Sequence, residues 1–455
     1  MTTNCAFLEN ELMDVARLFK TRPFEVQHTF RFENGVFYND FVVDGESFFF
    51  KDKGQVRDEI EFKRLERRFA KLGFYAVLSD KYGETMPWGA LTGIRPTKLA
   101  YMELEDGRDF RELFQKMRVS EENVALVEAV LKAQEGIYER KDGNTDLFVS
   151  IPFCPTKCAY CSFITAPIEK TRTFLPDYLS ALEREINESK DLIGNLRSIY
   201  IGGGTPFALS VDELERVLKP LDDLVGCEYT VEAGRPDVFS KEKLSLLKKH
   251  GVTRICINPQ TFSNETLQRI GRKHTVEDVY RAFEMSKEFG FDVNVDLIAG
   301  LDGERSETFV DGVKKAVETG AENITVHCLS LKSGAKLKEE VAYIENPSIS
   351  EMIQASREIL SKAGYEPYYM YRQKYQAGNN ENVGWTKPNK ACVYNIDIME
   401  ETADNLALGA NAVSKRVFTE KNRIERFASQ KDLKTYLEKI DEIIEKRKNF
   451  FKKDL

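Results

Sequence analysis

Between residues 144 and 334 the sequence keeps returning to one arrangement: a short apolar stretch of strand character, then a longer segment with helical periodicity. The strand candidates are LFVSIPF (Leu147–Phe153), SIYIGG (Ser198–Gly203), EYTVEA (Glu228–Ala233), TRICINP (Thr253–Pro259), FDVNVDLIAG (Phe291–Gly300) and NITVHCLSL (Asn323–Leu331). Between them lie amphipathic segments such as PDYLSALEREINESKDLI (Pro176–Ile193) and VEDVYRAFEMSKEFG (Val276–Gly290). Strands that alternate with helices join by right-handed crossovers into a parallel sheet. Six strands are two short of a closed eight-stranded barrel. The expected fold is therefore α/β, an open six-stranded (β/α)6 partial TIM barrel.

The flanks read differently. Residues 1–143 form an expected accessory α+β domain. There, FEVQHTFRFENGVFYNDFVVDGESFFFK (Phe24–Lys51) has the pattern of a β-meander with turns at Asn34-Gly35 and Asp44-Gly45. A helix, RDEIEFKRLERRFAKLGF, follows and is expected to stop at Gly73. Residues 335–455 are expected to be mostly helical, with a Tyr- and Asn-rich loop, GYEPYYMYRQKYQAGNNENVGW (Gly364–Trp385), and a solvated terminal charge run, EKRKNFFKKDL. The 455 residues suffice for two or three domains, each with its own core.

A net charge of −8 argues against a general grip on nucleic acid, which needs a basic face. No apolar run approaches the roughly 20 residues of a membrane helix. The first residues, MTTNCAFLENELMDVARLFK, lack the basic-then-apolar layout of a signal peptide. Five of the eight cysteines (Cys5, Cys227, Cys256, Cys328, Cys392) are scattered, which suits a reducing compartment; the expected location is cytoplasmic.

The other three, Cys154, Cys158 and Cys161, fall within eight residues, directly after the first strand. Parallel barrels place their sites at that end of the strands. Structural zinc needs four ligands, usually in two short pairs. After Cys161 the next candidates are Cys227 and His250, and neither makes a second pair. A C-x3-C-x2-C triplet suits a four-iron cluster with one iron left open for chemistry. The loop holds one charge, Lys157, and the aromatics Phe153, Tyr160 and Phe163, a suitable shell for burying a cluster.

IPFCPTKCAYC (Ile151–Cys161) resembles the motif of the radical S-adenosylmethionine (SAM) superfamily, in the branch of the oxygen-independent coproporphyrinogen III oxidases. With LTGIRPTKLAY (Leu91–Tyr101), the whole chain most resembles the HemZ-type oxidase-like proteins. The resemblance implies one [4Fe–4S] cluster on Cys154, Cys158 and Cys161, with SAM on the open iron. It carries SAM contacts to Gly203, Gly204 and Thr205 of GGGTP, Glu232 of TVEAG, Gln260 of INPQTF, Arg272 of IGRKH, and Asp296 and Ile298 of NVDLIAGL.

Each assignment has a plainer counterpart. A Gly-rich loop also makes a tight strand–helix turn, a lone Glu or Arg is usually solvated, and Ile298 would serve equally as core. Asp296 is the sharper case, because a carboxylate in an apolar strand needs a partner, and a ribose hydroxyl would serve. His327 reads as a satisfied core histidine rather than a general base.

The implied activity is oxidative decarboxylation of two propionates of coproporphyrinogen III to vinyl groups, a step of anaerobic porphyrin and haem biosynthesis. It implies a tetrapyrrole substrate and a low-potential electron donor, and a tetracarboxylate would need cations such as Arg235, Arg254, Lys273 or Arg372. Three positions depart from the oxidase pattern: Phe163 stands where a fourth cysteine is found, and Phe148 and Ser150 replace a Tyr-x-His. The related haem chaperones also lack that cysteine, but their Cys-x-His-Asn stretch reads Cys392-Val393-Tyr394-Asn395 here, with tyrosine in place of histidine. A haem-binding delivery protein and a radical SAM enzyme acting on another tetrapyrrole are the alternatives.

Overall fold

The computed structural model describes residues 1–19, 24–93, 95–161, 166–224, 226–330, 348–373, 379–420 and 423–452. It divides into two compact units, Met1–Glu128 and Ala129–Leu455. Phe163 and the expected boundary at 334/335 lie outside the described residues.

In the smaller unit, strands Val26–Glu33, Val36–Val43 and Glu46–Lys53 form an antiparallel meander, with Thr2–Thr3 on its edge. Both hairpin turns use two residues at positive φ, Asn34-Gly35 and Asp44-Gly45, as two-residue turns of matching twist require. Helix Glu59–Tyr82 is N-capped by Asp58, whose carboxylate accepts from the Glu61 amide at 2.7 Å. It does not stop at Gly73. A Cβ there would lie 3.0 Å from the Phe50 ring and 3.1 Å from that of Phe41, so this glycine lets helix and sheet approach. The helix ends instead at Gly83, which takes the left-handed conformation.

The larger unit is built on one sheet of eleven described strands: β1 (Asn144–Ile151), β2 (Asn195–Gly203), β3 (Glu228–Gly234), β4 (Arg254–Gln260), β5 (Asp292–Ala299), β6 (Asn323–Cys328), β7 (Glu366–Tyr371), β8 (Asn382–Thr386), β9 (Asp404–Leu408), β10 (Val413–Phe418) and β11 (Arg423–Ala428). Strands β1 to β6 lie side by side in chain order, all parallel. Helices Leu175–Ser189, Val211–Leu218, Lys241–Lys249, Val276–Glu288 and Ser306–Glu318 make the crossovers.

The C-terminal region corrects the expectation of a mostly helical segment. It adds β8 and β7 antiparallel beyond β6, and β9 parallel to β1 with β10 and β11 outside it. The expected Tyr- and Asn-rich loop supplies β7 and β8, whose aromatic residues suit a sheet. The terminal charge run is corrected too: helix Ile440–Lys452 buries Arg447 completely.

Side chains alternate between faces along a strand. Val149, Ile201, Val231, Ile257, Val295 and Val326 share one face and are at most 2% exposed. The alternate positions are polar or aromatic: Phe148, Tyr200, Glu232, Asn258, Asp296 and Thr325. A face lined this way is furnished for a ligand rather than for a core.

Candidate functional site

That second face opens, toward the C-terminal strand ends, into a cavity of about 460 Å³ within the larger unit. All three motif cysteines line it, as do Gly203, Gly204, Thr205, Glu232, Gln260, Arg272, Asp296 and Ile298. Residues from four strands of the sheet and three loops thus meet at one place, although they span 145 positions of sequence (154 to 298).

The cysteine loop is clamped from two sides. On one, the Gly204 amide donates to the Ile151 carbonyl (2.8 Å) and the Thr205 amide to the Phe153 carbonyl (2.7 Å). The Thr205 hydroxyl lies 3.6 Å from Cys154 Sγ. A Cβ at Gly204 would sit 2.4 Å from the Phe153 carbonyl oxygen, so the close approach this glycine permits is that of the chain's own cysteine strand. On the other side, the buried Arg272 guanidinium donates to the Asn258 carbonyl (2.5 Å) and the Tyr160 hydroxyl (3.0 Å), and it is also hydrogen-bonded to Cys158. The Ala159 amide donates to the Ile270 carbonyl at 3.2 Å.

Glu232 is held by two donors, the Tyr200 hydroxyl (2.5 Å) and the Asn258 side-chain amide (2.8 Å). Burial, with the nearby Asp296 carboxylate adding to it, pushes its carboxyl up to about 7. Asp296 accepts from the Asn294 amide at 2.9 Å, and His327 Nε2 is 3.7 Å away. His327 is not the core histidine expected. Its side chain is 24% exposed, lines the cavity, and pairs through Nδ1 with the Tyr371 hydroxyl at 3.0 Å. Ile298 packs with Ile270, Leu301 and Leu329 against the Tyr160 ring, which makes an apolar wall beside the polar one.

Three buried polar atoms here have no protein partner: Gln260 Oε1, Asn258 Oδ1 and Arg272 Nε. Buried polar groups are almost always satisfied, so these two acceptors and one donor call for a ligand. Gln260 also takes a positive φ of 70°, which is unusual for a residue with a side chain. Among the described residues, no three His, Cys, Asp or Glu side chains converge on a single metal ion. A multi-iron cluster spreads its thiolates over separate irons and needs no such convergence.

Sequence reasoning missed Tyr200, Asn258, Asn294 and Tyr371, which also line the cavity. The signal was there in Asn258 and Asn294, each placed two residues before a residue already singled out, on the same strand face. Of the four candidate cations, Arg254 is committed to Glu228, Asn323 and the Lys390 carbonyl, and Arg235 to Asp237 and Thr156. Arg372 is buried and bonded to Asn379, and Lys273 is exposed. Ser150 is buried, its hydroxyl donating to the Ala410 carbonyl at 2.9 Å, while Phe148 stacks on Tyr200.

Cysteines at the mouth of a parallel sheet, with unpartnered buried polar atoms lining the same cavity, define a site for an iron–sulfur cluster and a polar organic ligand. The family model of the radical SAM superfamily matches residues 148–316. The chain is 34% identical, over 84% of its own length and 80% of the relative's, to the oxygen-independent coproporphyrinogen-III oxidase-like protein HemZ of Bacillus subtilis. It is 38% identical to the haem chaperone HemW of the same organism, over 40% of this chain and about half (49%) of that one. Its fold is similar to that of Escherichia coli coproporphyrinogen III oxidase HemN, a radical SAM enzyme, with a TM-score of 0.53 and 23% identity over 69% of this chain and 72% of that one.

The chain belongs to the radical SAM superfamily, in its oxygen-independent coproporphyrinogen-III oxidase-like branch. Its cofactors are one [4Fe–4S] cluster and SAM, and the thiols and orphaned acceptors of the cavity fit them. No helix among the described residues is long and apolar enough to cross a membrane.

Proposed function

We propose that this chain converts two propionates of coproporphyrinogen III to vinyl groups by oxidative decarboxylation, in a parallel sheet curled as an open partial barrel. Cys154, Cys158 and Cys161 would hold the cluster. Gly203, Gly204, Thr205, Glu232, Gln260, Arg272, Asp296 and Ile298 would hold SAM. The observation that carries this reading is the meeting of all eleven residues in one cavity, where the buried acceptors Gln260 Oε1 and Asn258 Oδ1 lack partners.

Together the two cofactors supply one-electron chemistry able to take a hydrogen atom from an unactivated carbon. The chain supplies the rest. The Glu232 carboxylate, fixed by Tyr200 and Asn258, suits an ammonium group. Asp296 suits a ribose diol, and the wall of Ile298 and Leu329 suits a purine face. Arg272 sets a cation beside the cysteine loop, and the apolar cluster behind it excludes water.

Two features support the oxidase reading over haem delivery. The HemZ match covers 84% of the chain and so spans both compact units, whereas matches to HemW proteins cover between 40% and 64% of it. Of the groups that could ligate haem, Cys392 is also engaged, its Sγ donating to Glu228 at 3.0 Å, and the Tyr394 ring is held by stacking on Tyr200.

The test is anaerobic incubation of reconstituted protein with SAM, a low-potential reductant and coproporphyrinogen III, followed by mass spectrometry. The expected result is 5′-deoxyadenosine together with stepwise loss of two formic-acid equivalents from the tetrapyrrole. Deoxyadenosine without a tetrapyrrole change would redirect the reading to another substrate. Neither signal, from protein that gives a Soret band on haem titration, would replace it with haem delivery.

A further inference from the structure

Tyr394 stands second in helix Val393–Glu400, whose Asn395 and Met399 line the cavity. Its ring lies against that of Tyr200, centroids 4.3 Å apart and planes within 21°. Phe148 completes the group, 6.3 Å from each and nearly parallel to both. Tyr200 is the residue whose hydroxyl donates to Glu232 at 2.5 Å.

The same helix is tied to the other end of strand β3. The Glu228 carboxylate accepts from the Val393 and Tyr394 amides (3.1 and 3.3 Å) and from Cys392 Sγ. Glu228 and Glu232 are four residues apart on one strand and so share a face. The helix start is thus fixed to β3 directly through Glu228, and it reaches Glu232 through the stacked ring and the Tyr200 hydroxyl.

We infer that Tyr394 is a positioning residue: its ring buttresses Tyr200, which in turn holds and polarises the Glu232 carboxylate that receives the ligand's ammonium group. This rests on the proposed role of Glu232 in binding SAM. A tyrosine ring pinned on one face by another has a restricted orientation, so its hydroxyl meets the acceptor without a fresh loss of side-chain freedom.

The groups facing Glu232 are Tyr200 from β2, Asn258 from β4, Asp296 from β5, His327 from β6 and Tyr394 from the helix, with Cys256 on β4 against Tyr200. Burial and Asp296 favour the neutral carboxyl, while the bonds from Tyr200 and Asn258, and His327, favour the carboxylate. Taking away the Tyr200 hydroxyl, or the ring that pins it, moves ionisation of Glu232 to higher pH.

The test is equilibrium dialysis of SAM against anaerobically reconstituted protein across a pH series. In the wild type, affinity is expected to rise as pH rises through about 7, where Glu232 ionises. Tyr200→Phe should move that rise to higher pH and weaken binding at neutral pH by about tenfold, as loss of a bond to a charged group does. Tyr394→Ala should act in the same direction, Tyr394→Phe should restore wild-type behaviour, and Tyr394→Ala should add nothing in the Tyr200→Phe background.

Iron content and near-ultraviolet circular dichroism of Tyr394→Phe and Tyr394→Ala establish that both are folded and loaded. Wild-type binding by folded Tyr394→Ala, or a full additive loss in the double variant, would overturn the inference. Glu232→Gln separates the two levels. Wild-type SAM binding by that variant would remove the Glu232 role itself, whereas weak binding by it, beside normal binding by Tyr200→Phe and Tyr394→Ala, would remove only the positioning.

Discussion

Arg272 and Cys158 are hydrogen-bonded partners at the wall of the cavity, and the same guanidinium reaches the Asn258 carbonyl and the Tyr160 hydroxyl. Burial opposes its charge, but the Tyr160 and Cys158 neighbours outweigh that and keep it protonated. A lysine offers one ammonium where the arginine offers a fork. Arg272→Lys is therefore expected to lose at least one charge-assisted bond, worth about 1.5–3 kcal/mol, and to release its cluster at least about tenfold faster. Anaerobic iron transfer to a chelator gives that rate, and a rate equal to the wild type's would sink the assigned role.

Gly204 admits no side chain. A Cβ there would come within 2.4 Å of the Phe153 carbonyl oxygen and 2.7 Å of that of Ile151, both backbone atoms that cannot swing aside. Gly204→Ala should cost about 1–3 kcal/mol of stability through overpacking and displace the strand that carries Cys154. Thermal unfolding and iron content after reconstitution check both. An unchanged melting temperature with full iron would mean that the loop relaxes freely.

The parts of this site legible in the sequence are those with a local signature. The cysteine spacing is contiguous, and each strand end announces itself where period-two apolar residues give way to a helix. Strands β7 and β8 were hidden because the pairing of β8 with β6, on which β7 then builds, is non-local, and their Tyr- and Asn-rich sequence also fits a loop. Gly73 and Gly83 look alike as helix stops; only the Phe50 and Phe41 rings opposite Gly73 distinguish a packing glycine from a cap. His327 sits on a strand whose apolar neighbours suggest core, yet the face it shares with Thr325 turns toward the cavity. Arg447, inside a run of charges, is fully buried because Glu185 waits for it on a distant helix.

Glu232 should make the protein without SAM less stable as pH rises. Its carboxyl ionises near 7 in the fold, against an ordinary value of 4.5, so the native state resists ionisation more than the unfolded chain does. Its contribution is most favourable below about pH 4.5, declines through the interval up to about 7, and is constant above it. Glu232→Gln removes this dependence. Its stability relative to wild type should climb across that interval by up to roughly 3 kcal/mol, less any relief from water entering the cavity. Urea unfolding at the two ends of the interval measures the difference, and a constant difference would mean that Glu232 is not so perturbed.

Arg447 ties the last helix to the base of the cysteine loop. It pairs with Glu185, whose carboxylate also accepts from the Tyr436 hydroxyl (2.6 Å) and the Gly409 amide (2.8 Å). Beside Gly409, the Ala410 amide donates to the Tyr178 hydroxyl, which itself donates to the Ser150 carbonyl at 2.7 Å. Ser150 lies four residues before Cys154. Cutting away one partner of a buried pair leaves a charge without compensation, so Arg447→Ala should cost about 3–5 kcal/mol. A lower denaturant midpoint with an unchanged slope is the expected sign. Because the chain of bonds continues to Ser150, iron retention at a temperature where the variant is still folded should fall as well. A variant that is destabilised but keeps its iron would confine the role of Arg447 to holding the helix and break the link from Glu185 to the cysteine loop.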